Sequence, residues 1–206
     1  MRIHFLVAGV VVAAVCVLPA VCHAQSVPFT HEGFYLQMTL GGGYLGTSAS
    51  ADGEALSLHG GAINGSLWIG GSLAPGFVLG GGTSSSIAIR PKVKETVNGQ
   101  ALDVGDVNAG LQLNMIGLVS DFYPNPTKGL HFQAMLGYAV VSITQDGASS
   151  VSPSGVGLIG GVGYDFWVSE EWSIGVLGNV AYAAAKLHDV SYPTVSPALL
   201  ASFTYN

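Results

Sequence analysis

Beyond its first two dozen residues the chain alternates apolar residues with small or polar ones in short segments separated by turn residues. No 3.6-residue period is sustained, so the pattern predicts strands and not helices. Residues 130–144 are the clearest case. Leu130, Phe132, Ala134, Leu136, Tyr138 and Val140 share one face, and His131, Gln133, Met135 and Gly137 share the other. Residues 34–46 set Phe34, Leu36, Met38 and Leu40 against Tyr35, Gln37 and Thr39. Residues 155–167 set Val156, Leu158, Val162, Tyr164 and Phe166 against Gly157, Ile159, Gly161, Gly163 and Asp165. Residues 172–186 set Trp172, Ile174, Val176, Val180 and Tyr182 against Ser173, Gly175, Asn179 and Ala181, and residues 195–205 place Leu199, Ala201, Phe203 and Tyr205 on one face. Three further segments, 56–72, 77–89 and 109–122, bring the count to eight. They are so rich in glycine that pattern alone specifies their register weakly.

The connections alternate in length. Residues 73–76, 123–129 and 168–171 are tight, whereas 47–55, 90–108, 145–153 and 187–193 are polar and mostly longer. Short turns on one side and longer loops on the other predict an antiparallel up-and-down meander with both ends on the short-turn side. The longest connection contains Asn98-Gly99, a strong hairpin signal, so the third and fourth strands are expected to project as a hairpin. Residues 25–32 read as a short lead-in.

An apolar face opposite a small or polar one suits a soluble barrel or a membrane barrel, and charge separates the two. Only 9% of residues are Asp, Glu, Lys or Arg, against about 25% in an average soluble domain. A soluble ligand-binding barrel would carry a charged exterior around an apolar interior. No segment after residue 24 is an unbroken apolar run of the ~20 residues that a membrane helix needs. The predicted fold is therefore all-β, an eight-stranded antiparallel up-and-down transmembrane β-barrel. Aromatic residues fall where its interfaces should lie. Phe34, Phe77, Tyr123, Phe132, Phe166, Trp167, Trp172, Phe203 and Tyr205 gather at the short-turn end, and Tyr44, Tyr138 and Tyr182 at the other.

The first residues read as an export signal. Arg2 precedes an apolar stretch at residues 5–21, and Cys22-His23-Ala24 forms a small-x-small cleavage site. The expected organisation is a signal peptide at residues 1–24 and a barrel domain at 25–206, delivered to a Gram-negative outer membrane; a retained anchor is the alternative. Both cysteines, Cys16 and Cys22, fall in the removed segment, so no disulfide is expected. A net charge of −6 gives no reason to expect nucleic-acid binding.

The strand opening Gly33-Phe34-Tyr35-Leu36, the stretch Gly117-Leu118-Val119-Ser120-Asp121-Phe122-Tyr123-Pro124 before a short turn, and the glycine-rich segment at residues 155–172 resemble the small eight-stranded outer-membrane β-barrels, the OmpA/OmpX/OmpW-like group. The resemblance covers the barrel domain and rests on diffuse features. Phe203 and Tyr205 partly match the alternating aromatics that end such chains, and so imply a barrel assembly machinery as a partner during insertion. Asn206 beyond them and Leu200 in place of a glycine depart from that pattern.

Eight strands enclose an interior just wide enough to be filled by side chains. Asp121, His131 and Asp165 are expected to form a lumenal polar network, with Asp121 opposite His131 across the 123–129 turn and Gln133, Tyr35 and Ser173 nearby. Buried charges need partners, so mutual satisfaction is reason enough for such a network. No serine stands in an evident nucleophilic arrangement with His131. No catalytic, cofactor-binding or metal-binding residue is assigned, since His31, His59, His131 and His188 are scattered. Arg90, Lys92 and Lys94 could meet lipopolysaccharide phosphates at the outer surface, which makes outer-membrane lipid and lipopolysaccharide the expected partners. The function read from these features is a structural or surface-interaction role without enzymatic activity. The alternative is a narrow channel or transporter for small or apolar solutes. A third reading is a lipid-modifying enzyme using His188, Asp189 and Ser191 in the last outer loop.

Overall fold

The computed structural model describes residues 29–51, 54–89, 91–97, 100–106, 109–145 and 148–206. The predicted signal segment, residues 1–24, lies outside the described residues, as does Arg90. Eight long strands close into an antiparallel barrel: β1 (Phe34–Ala51), β2 (Glu54–Ala74), β3 (Phe77–Ala88), β6 (Ala109–Phe122), β7 (Leu130–Gln145), β9 (Ser154–Trp167), β10 (Trp172–Leu187) and β11 (Val190–Tyr205). Each pairs with its neighbours in sequence, and β1 closes on β11. Three short strands, β4 (Lys92–Val97), β5 (Gln100–Asp106) and β8 (Ala148–Val151), decorate the end opposite the tight turns.

The alternation read from the sequence is the alternation of burial. In β9, Val156, Leu158, Val162, Tyr164 and Phe166 are exposed while Gly157, Ile159, Gly163 and Asp165 are buried. The outer wall is correspondingly apolar, with Leu40 at 65%, Leu118 at 67% and Leu199 at 65% exposure. Exposed apolar side chains around a closed sheet with polar groups inside are the pattern of a membrane-spanning barrel.

One circuit of the pairing fixes the geometry. From Gln37 it passes through Trp68, Gly82, Gly117, Gly137, Gly157, Ala183 and Thr194 and returns to β1 at Thr47, ten residues further along. A stagger of that size in eight strands corresponds to a tilt of about 40°. That tilt brings Tyr44, Tyr138 and Tyr182, all exposed, to one height. Phe34 and Trp172 lie ten residues below Tyr44 and Tyr182 along β1 and β10. Ten residues of a strand so tilted span about 25 Å, the height of a barrel's apolar band.

The glycines of this circuit have a packing reason. Gly82 faces Trp68, and a Cβ there would press on the indole ring. A Cβ at Gly157 would collide with Met115. Large side chains therefore cross the lumen where neighbouring strands offer none. Gly76 has a different reason: it adopts φ +72° in the Pro75-Gly76 turn, a backbone conformation that favours glycine.

The tight turns at residues 75–76, 123–129 and 168–171 agree with the sequence pattern, but the opposite connections do not. Residues 47–51, 54–55 and 190–193, predicted as loop, are strand, because pairing continues beyond the apolar band: Thr47 meets Leu58 and Thr194. The 90–108 connection carries the hairpin β4–β5, and β4 carries on the pairing of β3 along β2.

Above Tyr44 the barrel changes character. Its lumen is mainly apolar there, filled by Leu45, Leu58, Leu111, Leu113, Val141, Ala183 and Ala185 around a Thr47–Thr194 hydrogen bond, while its outer face carries Ser48, Lys92 and Lys186. That is the arrangement of a soluble barrel resting on a membrane one.

Candidate functional site

The polar groups of the lumen concentrate at its tight-turn end. Alternation places Tyr35 and Gln37 of β1, Asp121 of β6, His131 and Gln133 of β7, Asp165 of β9, Ser173 of β10, and Ser202 and Thr204 of β11 on the inner face, all buried. His131 Nδ1 lies 3.0 Å from both carboxylate oxygens of Asp121. Asp121 Oδ2 also accepts from the Tyr35 hydroxyl at 2.7 Å and from Gln133 Nε2 at 2.8 Å. Gln133 Nε2 donates as well to Gln37 Oε1 at 2.7 Å, and Gln37 Nε2 donates to Thr204 Oγ1 at 3.2 Å. A single set of hydrogen bonds thus ties β6, β7, β1 and β11 across the lumen.

Asp165 holds a second centre. Its Oδ1 accepts from Ser202 Oγ at 2.8 Å and its Oδ2 from the Tyr123 hydroxyl at 3.1 Å. His131 Nε2 stands 3.9 Å from Asp165 Oδ1, beyond hydrogen-bond reach but close enough for electrostatic attraction. Two glycines clear this space. A side chain at Gly163 would collide with the His131 ring, and one at Gly175 with the Asp165 carboxylate.

The register differs from the sequence expectation. Asp121 pairs with Gln133, and His131 pairs with Gly163 of β9, so Asp121 and His131 meet diagonally and not face to face. Phe122 and Phe132 form the last β6–β7 pair, so β7 is shifted by two residues from the expected pairing of Phe122 with Leu130. A two-residue change of pairing keeps every side chain on its face, and the three predicted residues still converge. Ser173 is buried beside them without a hydrogen-bond partner for its hydroxyl.

Two aromatics assigned to the interface by sequence belong instead to this floor. Tyr123 is 1% exposed, and Trp167 turns its indole nitrogen inward. Tyr123 is stacked between His31 and His131, with ring centroids 3.5 and 5.0 Å away, and Trp167 covers His31 from 4.6 Å. His31 comes from the lead-in, which hydrogen-bonds across the barrel mouth: Phe29 N to Glu170 O, His31 N to Pro126 O, and Gly76 N to His31 O. Burial holds the His31 ring well below its ordinary value, at about 4, with the nearby Asn206 amide offsetting part of the effect. Nothing in the pattern of residues 25–32 announces this role, because a lead-in has no strand period. Ser202, Thr204 and Gln37, by contrast, follow from the alternation of their strands.

The arrangement orients the His131 imidazole through a buried carboxylate, but Asp121 and His131 are each 0% exposed. A group sealed in this way ties four strands together by its hydrogen bonds. His188, Asp189 and Ser191 lie exposed at the β10–β11 turn, with His188 at φ +53°, and His59 stands on β2 at the outer rim. Among the described residues no three His, Cys, Asp or Glu side chains are grouped to hold a metal ion.

No protein-family model matches the chain, and no curated protein does. Solved structures do. Outer membrane protein OprG from Pseudomonas aeruginosa aligns over 87% of this chain and 99% of its own, with a TM-score of 0.52 and 10% identity. Neisserial surface protein A aligns over 84% of this chain and 96% of its own, with a TM-score of 0.50 and 16% identity. At such low identity what is shared is the fold, a closed antiparallel sheet. The chain has the fold of the small eight-stranded outer-membrane β-barrels.

Proposed function

We propose that the protein is an integral outer-membrane barrel with a structural or surface-interaction role, exported by a cleaved N-terminal signal, and that it neither conducts nor catalyses. The observation that carries this reading is the filled lumen. Buried side chains occupy it from end to end: the polar floor beneath His31, then Trp68, Met135 and Leu177, then Met115, then Leu45, Leu113 and Val141. A solute would have to displace a packed core at every depth. Loops and strand ends beyond the tyrosine girdle are the surface left for interaction.

Two measurements test this. Protein from outer-membrane fractions should migrate differently on gels before and after boiling, and the folded barrel in planar bilayers should give no unitary current steps. Steady steps would replace this reading with the narrow-channel alternative. Protein found soluble in the periplasm without a heat shift would remove the membrane reading altogether.

A further inference from the structure

The outer wall is not uniform. Between the two aromatic girdles six of the long strands turn out only apolar or aromatic side chains and glycine, and β3 and β6 depart from that rule. Thr83 and Ser85 of β3 and Asn114 and Ser120 of β6 face out among Leu79, Ile116 and Leu118. Among the described residues no other serine, threonine, asparagine, glutamine or charged side chain faces out at those depths. The two strands are neighbours, with Ser85 paired to Asn114 and Thr83 to Ile116, so the four groups form one stripe. Gln112 continues it just above the girdle. Ser85 Oγ donates to Asn114 Oδ1 at 3.0 Å, and Gln112 Nε2 donates to the same oxygen at 2.9 Å and to Ser85 Oγ at 3.3 Å. The Asn114 NH2 group and the Gln112 carbonyl bond nothing within this cluster.

Hydrocarbon offers such groups no partner, and depth decides what else can. The strand tilt sets Asn114 level with Tyr138. Ser120, six residues further along β6, lies about 15 Å deeper, past the middle of a band of about 25 Å. A lipid headgroup meets Asn114 and Gln112 but does not descend to Ser120, whereas a protein wall crosses the whole band. A second copy, inserted in the same sense, brings the same groups to the same depths, so each level of the stripe meets its own kind. The wall is also shaped for contact. A depression of about 480 Å³ holds Thr83, Ser85 and Asn114 between Leu67, Ile116 and Tyr138. Another of about 230 Å³ holds Ser120 among Leu79, Leu136 and Leu158, and Leu118, 67% exposed, stands at its rim. Projections and hollows on one face are what a two-fold contact uses, since each copy presents both.

We infer that the β3–β6 wall is the contact face of a homodimer within the membrane. Two barrels stand side by side about a two-fold axis along the membrane normal. Ser85, Gln112 and Asn114 exchange hydrogen bonds across it, and Leu118 packs into the partner's hollow. This rests on the outer-membrane reading above.

The experiment uses the protein isolated from outer membranes and returned to phosphatidylcholine vesicles. Ile116→Cys, on the stripe, and Leu199→Cys, four strands away on the opposite wall, are both exposed positions and are treated with a short bismaleimide linker. The unsubstituted protein is the blank. Covalent dimers are expected from Ile116→Cys alone. Photobleaching of labelled barrels then counts copies per spot as protein is diluted in lipid. Asn114→Leu should raise the density needed for half-dimerisation about tenfold, because the change strikes both halves of the contact. Its heat-shifted gel migration should stay unchanged. Single barrels at every density, or equal linking through Leu199→Cys, would overturn the dimer. Pairing of Asn114→Leu as tight as that of the wild type would overturn the role of the stripe. Linking of Ile116→Cys to a different protein in intact cells would overturn the second copy as its occupant. A barrel that inserts and heat-shifts normally but stays single defeats this inference alone; failure to insert defeats the membrane reading with it.

Discussion

Gly163 and Gly175 are spaces that the buried network occupies. At Gly163 a single methyl would drive against a histidine ring that Asp121 already holds in place. Gly163→Ala should therefore destabilise the folded barrel by about 1–3 kcal/mol, the usual cost of overpacking. Gly160, on the lipid face with open space where a methyl would stand, is the control: Gly160→Ala should leave stability unchanged. Tyr35→Phe removes one of the donors to Asp121 without altering shape, and should cost about 1–3 kcal/mol for leaving a buried carboxylate short of a partner. Urea unfolding in lipid vesicles would measure all three. A Gly163 variant as stable as the Gly160 variant would mean that His131 is free to move, and the network would lose its structural meaning.

At the scale of elements, the lead-in is the piece most open to control. Docking encloses His31 between Tyr123 and Trp167 in its neutral form. Its pKa is about 4 when docked against an ordinary 6.5 when released. Above pH 6.5 neither state is protonated and docking is fully supported. As pH falls towards 4 the released state takes up the proton first, so docking weakens, and below about 4 the loss levels off. The total is about 3 kcal/mol. Trp167 fluorescence should report the release over that window, and His31→Phe should abolish the pH dependence while keeping the stack. An unchanged profile in that variant would place the sensitive group elsewhere.

Strands were more legible than their ends or their turns. Period-two patterns located all eight long strands and set the faces of the residues named in β1, β7, β9, β10 and β11, because burial on one side of a sheet leaves its mark on every second residue. The convergence of His131 and Asp165 followed from those faces, and that of Asp121 from its place across the 123–129 turn. What the pattern could not supply was any quantity without a period: the exact β6–β7 closure, the lead-in under the barrel, and the inward turn of Tyr123 and Trp167 at strand ends. The outer strand extensions were missed for a chemical reason. Above the girdle Ser48 faces out between Thr47, which faces in, and Ala49, so this small and polar stretch reads as a loop while it pairs as strand.

For the whole molecule, the apolar band of about 25 Å sets what each position tolerates. A lysine in place of Leu40, well inside the band on the lipid face, should cost about 2–4 kcal/mol, whereas one in place of Ser48, beyond Tyr44, should cost about 0–1 kcal/mol. Reversible unfolding of the two variants in vesicles would check the contrast. Equal costs would mean that the girdle tyrosines do not mark the boundary.

The closure of β1 on β11 has a consequence for how fast such a molecule can form. Every other long-strand pair joins neighbours in the chain, so each can zip from its own turn. The last pair joins residues as distant as Gln37 and Thr204, 167 positions apart. Loop entropy must be lost over nearly the whole chain before that pairing returns anything. Until then two long strands present unpaired edges, which water can satisfy and hydrocarbon cannot. The rate of the process, and the exposure to aggregation that accompanies it, therefore rest on one seam, and a machinery that shelters those edges would act there.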